Sequence, residues 1–132
     1  MVSNISLFNI NSTYTVVDEN GDATPVAVSD RFYQDLERQF GDFKGKRLIS
    51  HYIFETDWNC WEMHPAGDEF VCLLSGHVDF ILEQDGGEQV ASLNVPGAYV
   101  LVPRGVWHTA RVHTSSSVLF MTPGEGTQNR AL

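Results

Sequence analysis

Basic residues are scarce in this sequence. Only eight Lys and Arg stand against seventeen Asp and Glu, which gives a formal net charge of −9 at pH 7. A nucleic acid or an anionic membrane needs a basic face that meets its phosphates, so this composition argues against both as partners. The acidic residues form no block of like charge, and we attribute their excess to solubility.

Cysteines and long apolar runs are also lacking. The two cysteines, Cys60 and Cys72, are too few for a disulfide framework. The N-terminal segment MVSNISLFNI has neither the basic stretch nor the apolar core of a signal peptide. No apolar run approaches the roughly 20 residues that cross a bilayer. We therefore expect a cytoplasmic protein with reduced thiols and no membrane partner.

The remaining composition is that of one folded domain. The chain has 132 residues, of which 42% are hydrophobic and 19% are charged, an ordinary globular balance. One helix is predicted at about residues 30 to 40, with Ser29 as its N-cap and Gly41 as its stop. Its apolar stripe recurs every four residues and consists of Phe32, Leu36 and Phe40. We expect this helix to pack on the outside of a sheet.

From Lys46 onward, short β-type segments alternate with turns rich in Gly and Pro. Such strands, about 8 to 12 residues apart, are typical of an antiparallel sandwich or barrel, so we predict an all-β fold. The predicted division is an N-terminal extension over 1–45, a barrel over 46–122 and a loose, apolar-poor tail over 123–132. The predicted strands are 48–54, 59–64, 69–74, 77–83, 88–93, 98–102, 108–113 and 118–121.

Four residues in this region carry metal-type chemistry. Glu62 and His64 are two apart on a predicted strand, so their side chains share a face. Glu69 begins the next predicted strand, and His108 follows a Pro-x-Gly turn. Imidazole and carboxylate groups are ligands for Fe, Mn, Ni, Co and Zn. Two His and one carboxylate on neighbouring strands could occupy one face of an octahedron and leave positions open for substrate or oxygen.

Two segments resemble the motifs of the cupin superfamily. Glu62 to Glu69, followed by six residues and Gly76, resembles the first motif, which reads Gly, five residues, His-x-His, three or four residues, Glu, six residues and Gly. Gly97 to His108 resembles the second motif, Gly-x5-Pro-x-Gly-x2-His-x3-Asn. The 20 residues between Gly76 and Gly97 suit the spacer of small single-domain microbial cupins of the cupin-2-like type.

The resemblance covers roughly residues 46 to 121 and implies both a fold and a site. The implied fold is a double-stranded β-helix, or jelly-roll barrel, here with one short N-terminal helix. The implied site holds one divalent transition metal (Fe, Mn, Ni, Co or Zn) through His64, Glu69 and His108, with Glu62 at the position of the family's leading His. Two departures, Thr56 for the leading Gly and Val112 for the closing Asn, lie outside this ligand set.

Glu62 leaves three interpretations open. As a fourth ligand, it would cancel the charge of a divalent ion already bound by one carboxylate. As an unligated group beside the ion, it would be the catalytic general base, with a pKa raised by a partly apolar pocket. In the third interpretation, the site binds a small molecule without metal.

Strand alternation sorts the neighbouring side chains. Trp58 and Cys60 share the face of Glu62 and His64, whereas Cys72 faces away, so the two cysteines should not pair. The same alternation leaves His77 and His113 outside the site. Candidates for a pocket rim or a dimer interface are Trp61, Trp107, Tyr99 and Phe54, and Arg104 is a candidate anchor for a substrate carboxylate.

Cupins include dioxygenases, isomerases, decarboxylases, sugar-binding sensor domains and seed storage proteins, so the resemblance implies several functions. The first hypothesis is a metal-dependent enzyme of the oxygenase or isomerase type that acts on a small metabolite. The alternative is a small-molecule-binding or sensor protein without catalysis. A storage role is disfavoured because storage cupins are long and duplicated. We also expect a homodimer that pairs through the N-terminal strands.

Overall fold

The computed structural model describes residues 5–132, and its secondary structure is dominated by antiparallel strands. One helix occurs among the described residues, and it is too short to span a membrane. The prediction of an all-β chain with one helix is confirmed. In chain order the elements are β1 Thr13–Val17, β2 Ala23–Ala27, α1 Phe32–Phe40, β3 Arg47–Phe54, β4 Cys60–Met63, β5 Glu69–Gln84, β6 Gly87–Leu93, β7 Tyr99–Val102, β8 His108–Thr122 and β9 Gln128–Ala131.

Two long strands organise the sheet. β8 pairs with β3, β4 and β5, while β5 also pairs with β6 and β7, all antiparallel. Glu62 of β4 lies opposite His108, the first residue of β8, and the side chain of Glu69 at the start of β5 also reaches His108. This convergence brings together side chains from three separate parts of the sequence.

The sequence predicts a break at Ser75-Gly76, but β5 and β8 each run through that region as one strand. The register between them shifts between Leu73 and Val78, which marks a β-bulge. Gly76 adopts a φ of +100°, and a Cβ there would lie 2.2 Å from Ser116 Oγ. The turn prediction was wrong because a glycine with positive φ serves a bulge as well as a turn.

The apolar side chains form two clusters. The larger lies on the inner faces of β5 and β8 and includes the fully buried Val71, Leu73, Val78 and Phe80. The second joins α1 to β1 and β3 through Phe32, Leu36, Tyr14 and Leu48, among others. The helix therefore packs on the sheet by its apolar stripe, as its spacing predicts.

The ends of α1 follow local rules only in part. Gly41 is the C-cap, with a φ of +66°, and its N–H donates to Glu37 O at 2.8 Å. The predicted N-cap Ser29 was wrong by two residues, because Arg31 occupies that position without a capping side chain. Ser29 Oγ instead accepts a hydrogen bond from the backbone N–H of Arg31.

The C-terminal segment differs from the loose tail that its composition predicts. β9 pairs with β4, and Glu62 lies opposite Asn129. The guanidinium of Arg130 sits 5.3 Å from the ring centre of Trp61 and 4.6 Å from that of Trp107. Backbone pairing and these cation–π contacts order the segment without an apolar core. The boundaries of the predicted extension and barrel, 1–45 and 46–122, stay a prediction.

Candidate metal centre

A pocket of about 1400 Å³ opens between the sheet and α1. Its walls come from α1, β3, β4, the start of β5 and the C-terminal segment. Trp58, Cys60, Glu62 and His64 all line it, in agreement with their predicted common face. Cys60 and Cys72 are both free thiols, so the prediction that they do not pair is confirmed.

Three side chains form a buried cluster at this pocket. His64 follows β4, Glu69 begins β5 and His108 begins β8, and their relative exposures are 4%, 3% and 0%. His64 Nε2 lies 3.3 Å from Glu69 Oε2, and His108 Nε2 lies 3.2 Å from Glu69 Oε1. One donor atom from each residue lies within 4.8 Å of the other two. The fold thus brings together His64 and His108, which are 44 positions apart in the sequence.

Hydrogen bonds on the far side of each imidazole orient the rings. His64 Nδ1 is 2.8 Å from Thr127 Oγ1, and the Thr127 hydroxyl donates its only proton to Gly124 O at 3.1 Å. Thr127 must therefore accept the Nδ1–H of His64. His108 Nδ1 donates to the carbonyl of Val106 at 3.1 Å. In the neutral rings, both Nε2 atoms are consequently left with a lone pair that faces Glu69.

Three buried polar atoms at the centre of the cluster lack a hydrogen-bond partner: His64 Nε2, His108 Nε2 and Glu69 Oε1. Burial opposes ionisation of Glu69, but the adjacent imidazoles of His108 and His64 lower its pKa to about 2. The second carboxylate oxygen, Oε2, accepts a hydrogen bond from Thr122 at 2.6 Å. Burial opposes protonation of His108 as well, yet the Glu69 carboxylate raises the pKa of that imidazole.

These atoms fit a shared cation. Lone pairs on two imidazoles and a carboxylate repel one another unless a positive charge lies between them. A tetrahedral ion with ligand bonds of about 2.0–2.1 Å separates its donor atoms by roughly 3.3 Å. The separations of 3.3 Å from His64 and 3.2 Å from His108 are of that size, although each runs to a different oxygen of Glu69. His64, Glu69 and His108 therefore could hold a divalent transition metal, and a shared proton is the other way to relieve the repulsion.

Glu62 lies at the edge of this cluster. Its Oε1 is 3.9 Å from His64 Nε2, and 31% of its side chain is exposed. Burial and the nearby Glu69 carboxylate both raise the pKa of Glu62. A shift of about half an ångström would bring it to ligand spacing. The geometry is thus compatible with Glu62 as a fourth ligand or as a base, and its role stays a prediction.

Several polar groups of the pocket carry no sequence signal. Tyr33 of α1 contacts the hydroxyl of Tyr52 of β3, and both line the pocket. Burial raises the pKa of both phenols, so they are neutral hydrogen-bonding groups. Thr122 and Thr127 support the cluster from β8 and from the predicted loose tail. No spacing rule could have found these residues, because only the fold brings them to the site.

The remaining candidates divide between the pocket and the surface. Phe54 lines the pocket, whereas Trp61 and Trp107 hold Arg130. Tyr99 is 58% exposed on β7, and Arg104 is exposed in the loop before β8, where its backbone N–H donates to Asp68. Neither of these two residues lines the pocket, so neither is supported as a substrate contact.

The histidines that alternation leaves out of the site lie elsewhere in the fold. His77 and His113 are on the outer face of the sheet, away from the pocket. His51, which the sequence motifs do not place, is buried on β3 and contacts Ser117 Oγ at 2.5 Å.

Comparison with known proteins reveals likeness in structure. No protein-family model matches the sequence, and no curated protein matches it. A cupin-2 domain-containing protein from Shewanella frigidimarina is similar over 58% of this chain and 70% of its own, with 18% identity and a TM-score of 0.50. An oxalate oxidase is similar over 61% of this chain and 44% of its own, with 16% identity and a TM-score of 0.52.

A Bacillus subtilis oxalate decarboxylase is similar over 65% of this chain, with 11% identity and a TM-score of 0.54. This chain spans only 24% of that enzyme's length and less than half of the oxalate oxidase. At such identities the likeness establishes the fold alone. The likeness confirms a cupin-type, β-rich fold, while closure of the sheet into a jelly-roll barrel stays a prediction.

Proposed function

We propose that this cupin-fold chain binds one divalent transition metal through His64, Glu69 and His108 and acts on a small metabolite in the adjoining pocket. The observation that carries the proposal is the set of three buried donor atoms without hydrogen-bond partners. A polar constellation of this kind is costly to bury unless a ligand satisfies it. His64 and Glu69 line the adjoining pocket, so a small molecule in it can approach two of the three donor groups.

The donor set favours Fe, Mn, Ni, Co or Zn over Mg or Ca, because two of its three groups are imidazoles. Two neutral imidazoles and one carboxylate leave a divalent ion with a net charge of +1, which favours an anionic or polarisable oxygen of a substrate. When bound, such an ion supplies Lewis-acid or redox chemistry. We therefore propose an oxygenase or isomerase type of reaction.

The surrounding residues have separate tasks in this proposal. Glu62 is the candidate general base, because its pKa is raised toward neutral pH and its carboxylate is therefore more basic than an ordinary one. The Tyr33 and Tyr52 hydroxyls line the same pocket and can donate hydrogen bonds that orient a substrate. Thr127 holds His64 in the tautomer that presents Nε2 to the cluster.

A ligand-binding or sensor protein without catalysis is the alternative, because the pocket has room for a small molecule whether or not a reaction follows. Ligand pockets usually measure roughly 300–1,000 Å³. The volume of about 1400 Å³ exceeds that range, so the pocket admits a ligand without closing around it. Tight binding of a metabolite with no turnover under any metal would support this alternative.

The first test is elemental analysis of untagged protein purified without chelators. We expect His64→Ala to lower the content of Fe, Mn, Ni, Co or Zn by about one equivalent. His51→Gln, which removes an imidazole that lies outside the cluster, should leave the content unchanged. The proposal would be refuted if His64→Ala holds as much metal as the wild-type protein. It would also be refuted if the wild-type protein binds none of the five ions on incubation.

The role of Glu62 is tested by Glu62→Gln. If Glu62 is a ligand, this substitution should release metal. If it is a base, metal should remain while turnover is lost.

We also propose a homodimer formed through the N-terminal strands, since β2 lies at an edge of the sheet. Light scattering of the intact chain measures its mass directly, and a mass of 14.8 kDa would refute the dimer.

A further inference from the structure

A second group of metal-type ligands lies on the outer face of the sheet. His77 and Asp79 are two residues apart on β5, and His113 lies on the neighbouring β8. The bulge between these strands shifts the register at His77, which brings His113 beside both β5 residues. The two imidazole rings stack with centres 4.0 Å apart and planes 19° apart.

Both rings present Nε2 to the same carboxylate. His113 Nε2 lies 2.7 Å from Asp79 Oδ2, and His77 Nε2 lies 3.5 Å from Asp79 Oδ1. One donor atom from each of the three residues lies within 4.8 Å of the other two. The 3.5 Å separation is close to the roughly 3.3 Å between ligands on a tetrahedral ion, whereas the 2.7 Å separation is a hydrogen bond that would lengthen when an ion binds. The three side chains are 21% to 49% exposed, so an ion from solvent can reach them.

Asp79 carries an independent sign of a missing cationic partner. Its Oδ1 is buried and makes no hydrogen bond, although Oδ2 is bonded to His113. Arg111 lies opposite Asp79 in the strand register, but among the described residues the ion pairs of Asp79 are with the two histidines.

We propose that His77, Asp79 and His113 form a second, surface metal site for a borderline divalent ion such as Zn²⁺, Cu²⁺ or Ni²⁺. Two imidazoles and one carboxylate suit these ions better than Mg²⁺ or Ca²⁺, which prefer oxygen ligands alone. The Ser92 hydroxyl, 3.1 Å from His77 Nε2, is a neutral group that can turn away when the imidazole binds an ion. Three protein ligands leave at least one position for water or a solute.

The test is titration of metal-free protein with Zn²⁺, with stoichiometry measured by calorimetry and by elemental analysis after gel filtration. The variants are the double substitution His77→Gln with His113→Gln, the single Asp79→Asn, and His64→Ala in the pocket. Glu88→Gln removes an exposed carboxylate from the neighbouring β6 and is the matched control for loss of charge. We expect two equivalents on wild type and on Glu88→Gln. The double variant should lose one equivalent, and Asp79→Asn should weaken the same site about tenfold or more.

The outcomes separate the two sites. If wild type binds only one equivalent, and that equivalent survives His64→Ala and disappears in the double variant, the surface site is supported and the pocket site is rejected. Unchanged Zn²⁺ stoichiometry and affinity in the double variant would overturn the surface site. A second test follows the imidazole NMR signals of the wild-type protein during the Zn²⁺ titration, so it does not depend on whether a variant folds. Zn²⁺ should shift the signals of His77 and His113, and the absence of such a shift would refute the proposal.

Discussion

Thr127→Val removes the acceptor that holds His64 in place. In the structure, Thr127 Oγ1 lies 2.8 Å from His64 Nδ1 and donates its proton to Gly124 O. Valine has nearly the same shape but no hydroxyl, so the Nδ1–H of His64 loses its partner. The neutral ring is then free to place its proton on Nε2, where it competes with a metal ion for the same lone pair.

The expected effects follow from this hydrogen bond. Loss of one ordinary hydrogen bond costs about 0.5–1.5 kcal/mol of folding free energy. Loss of an outer partner that fixes a metal-bound His typically costs about 10–100-fold in metal affinity. We therefore expect Thr127→Val to bind Zn²⁺ or Mn²⁺ at least tenfold more weakly while it stays folded. Thr127→Ser keeps a hydroxyl and should retain most of the affinity.

Competition with a chromophoric chelator measures the affinity, and long-range ¹H–¹⁵N correlation of the imidazole reports the tautomer. Thr24→Val, on β2 and remote from the pocket, controls for a general effect of replacing Thr by Val in this protein. If Thr127→Val binds metal as tightly as wild type and keeps the Nδ1–H tautomer, the assigned role of Thr127 is refuted.

Three further predictions concern stability. Burial lowers the pKa of His51 in the folded protein below its ordinary 6.5. As the pH falls below about 6.5, His51 is therefore protonated in the unfolded chain before it is protonated in the folded one, and the free energy of unfolding decreases. His51→Gln should flatten this part of the curve of urea-unfolding free energy against pH, and an unchanged slope would contradict it. Phe80→Ala empties a fully buried position and should cost about 3–5 kcal/mol in urea unfolding, whereas a loss below 1 kcal/mol would show that the core closes around the gap. Arg130→Ala removes the cation between Trp61 and Trp107, so hydrogen exchange in β9 should accelerate, and unchanged protection would show that backbone pairing alone orders this strand.

The sequence was most informative where local rules act. The spacing of Phe32 and Leu36 predicts a helix face, and both are buried against the sheet. Alternation places Cys60 and Glu62 on the pocket side of β4. The turn prediction fails at Gly76, because positive φ is needed both in a turn and in a bulge, and only the pairing of β5 with β8 distinguishes the two.

The C-terminal segment shows why composition was a poor guide there. It has few apolar residues, and composition measures burial rather than backbone pairing. β9 is ordered by hydrogen bonds to β4 and by the contacts of Arg130 with two tryptophans. These partners lie elsewhere in the chain, so the sequence of β9 does not reveal them. Thr127 reaches His64 because of this pairing, so an outer partner of the candidate site went unpredicted.

The sequence by itself determined the all-β class, the helix and the residue types of the candidate site, because alternation, turn residues and motif spacing are local properties. Only the tertiary structure decided that the donor atoms of His64, Glu69 and His108 meet within 4.8 Å, that Glu62 lies at their edge, and that α1 completes the pocket. It also decided that His77 and His113 come together around Asp79. These are distances between chain segments far apart in sequence, and strand pairing and register set them.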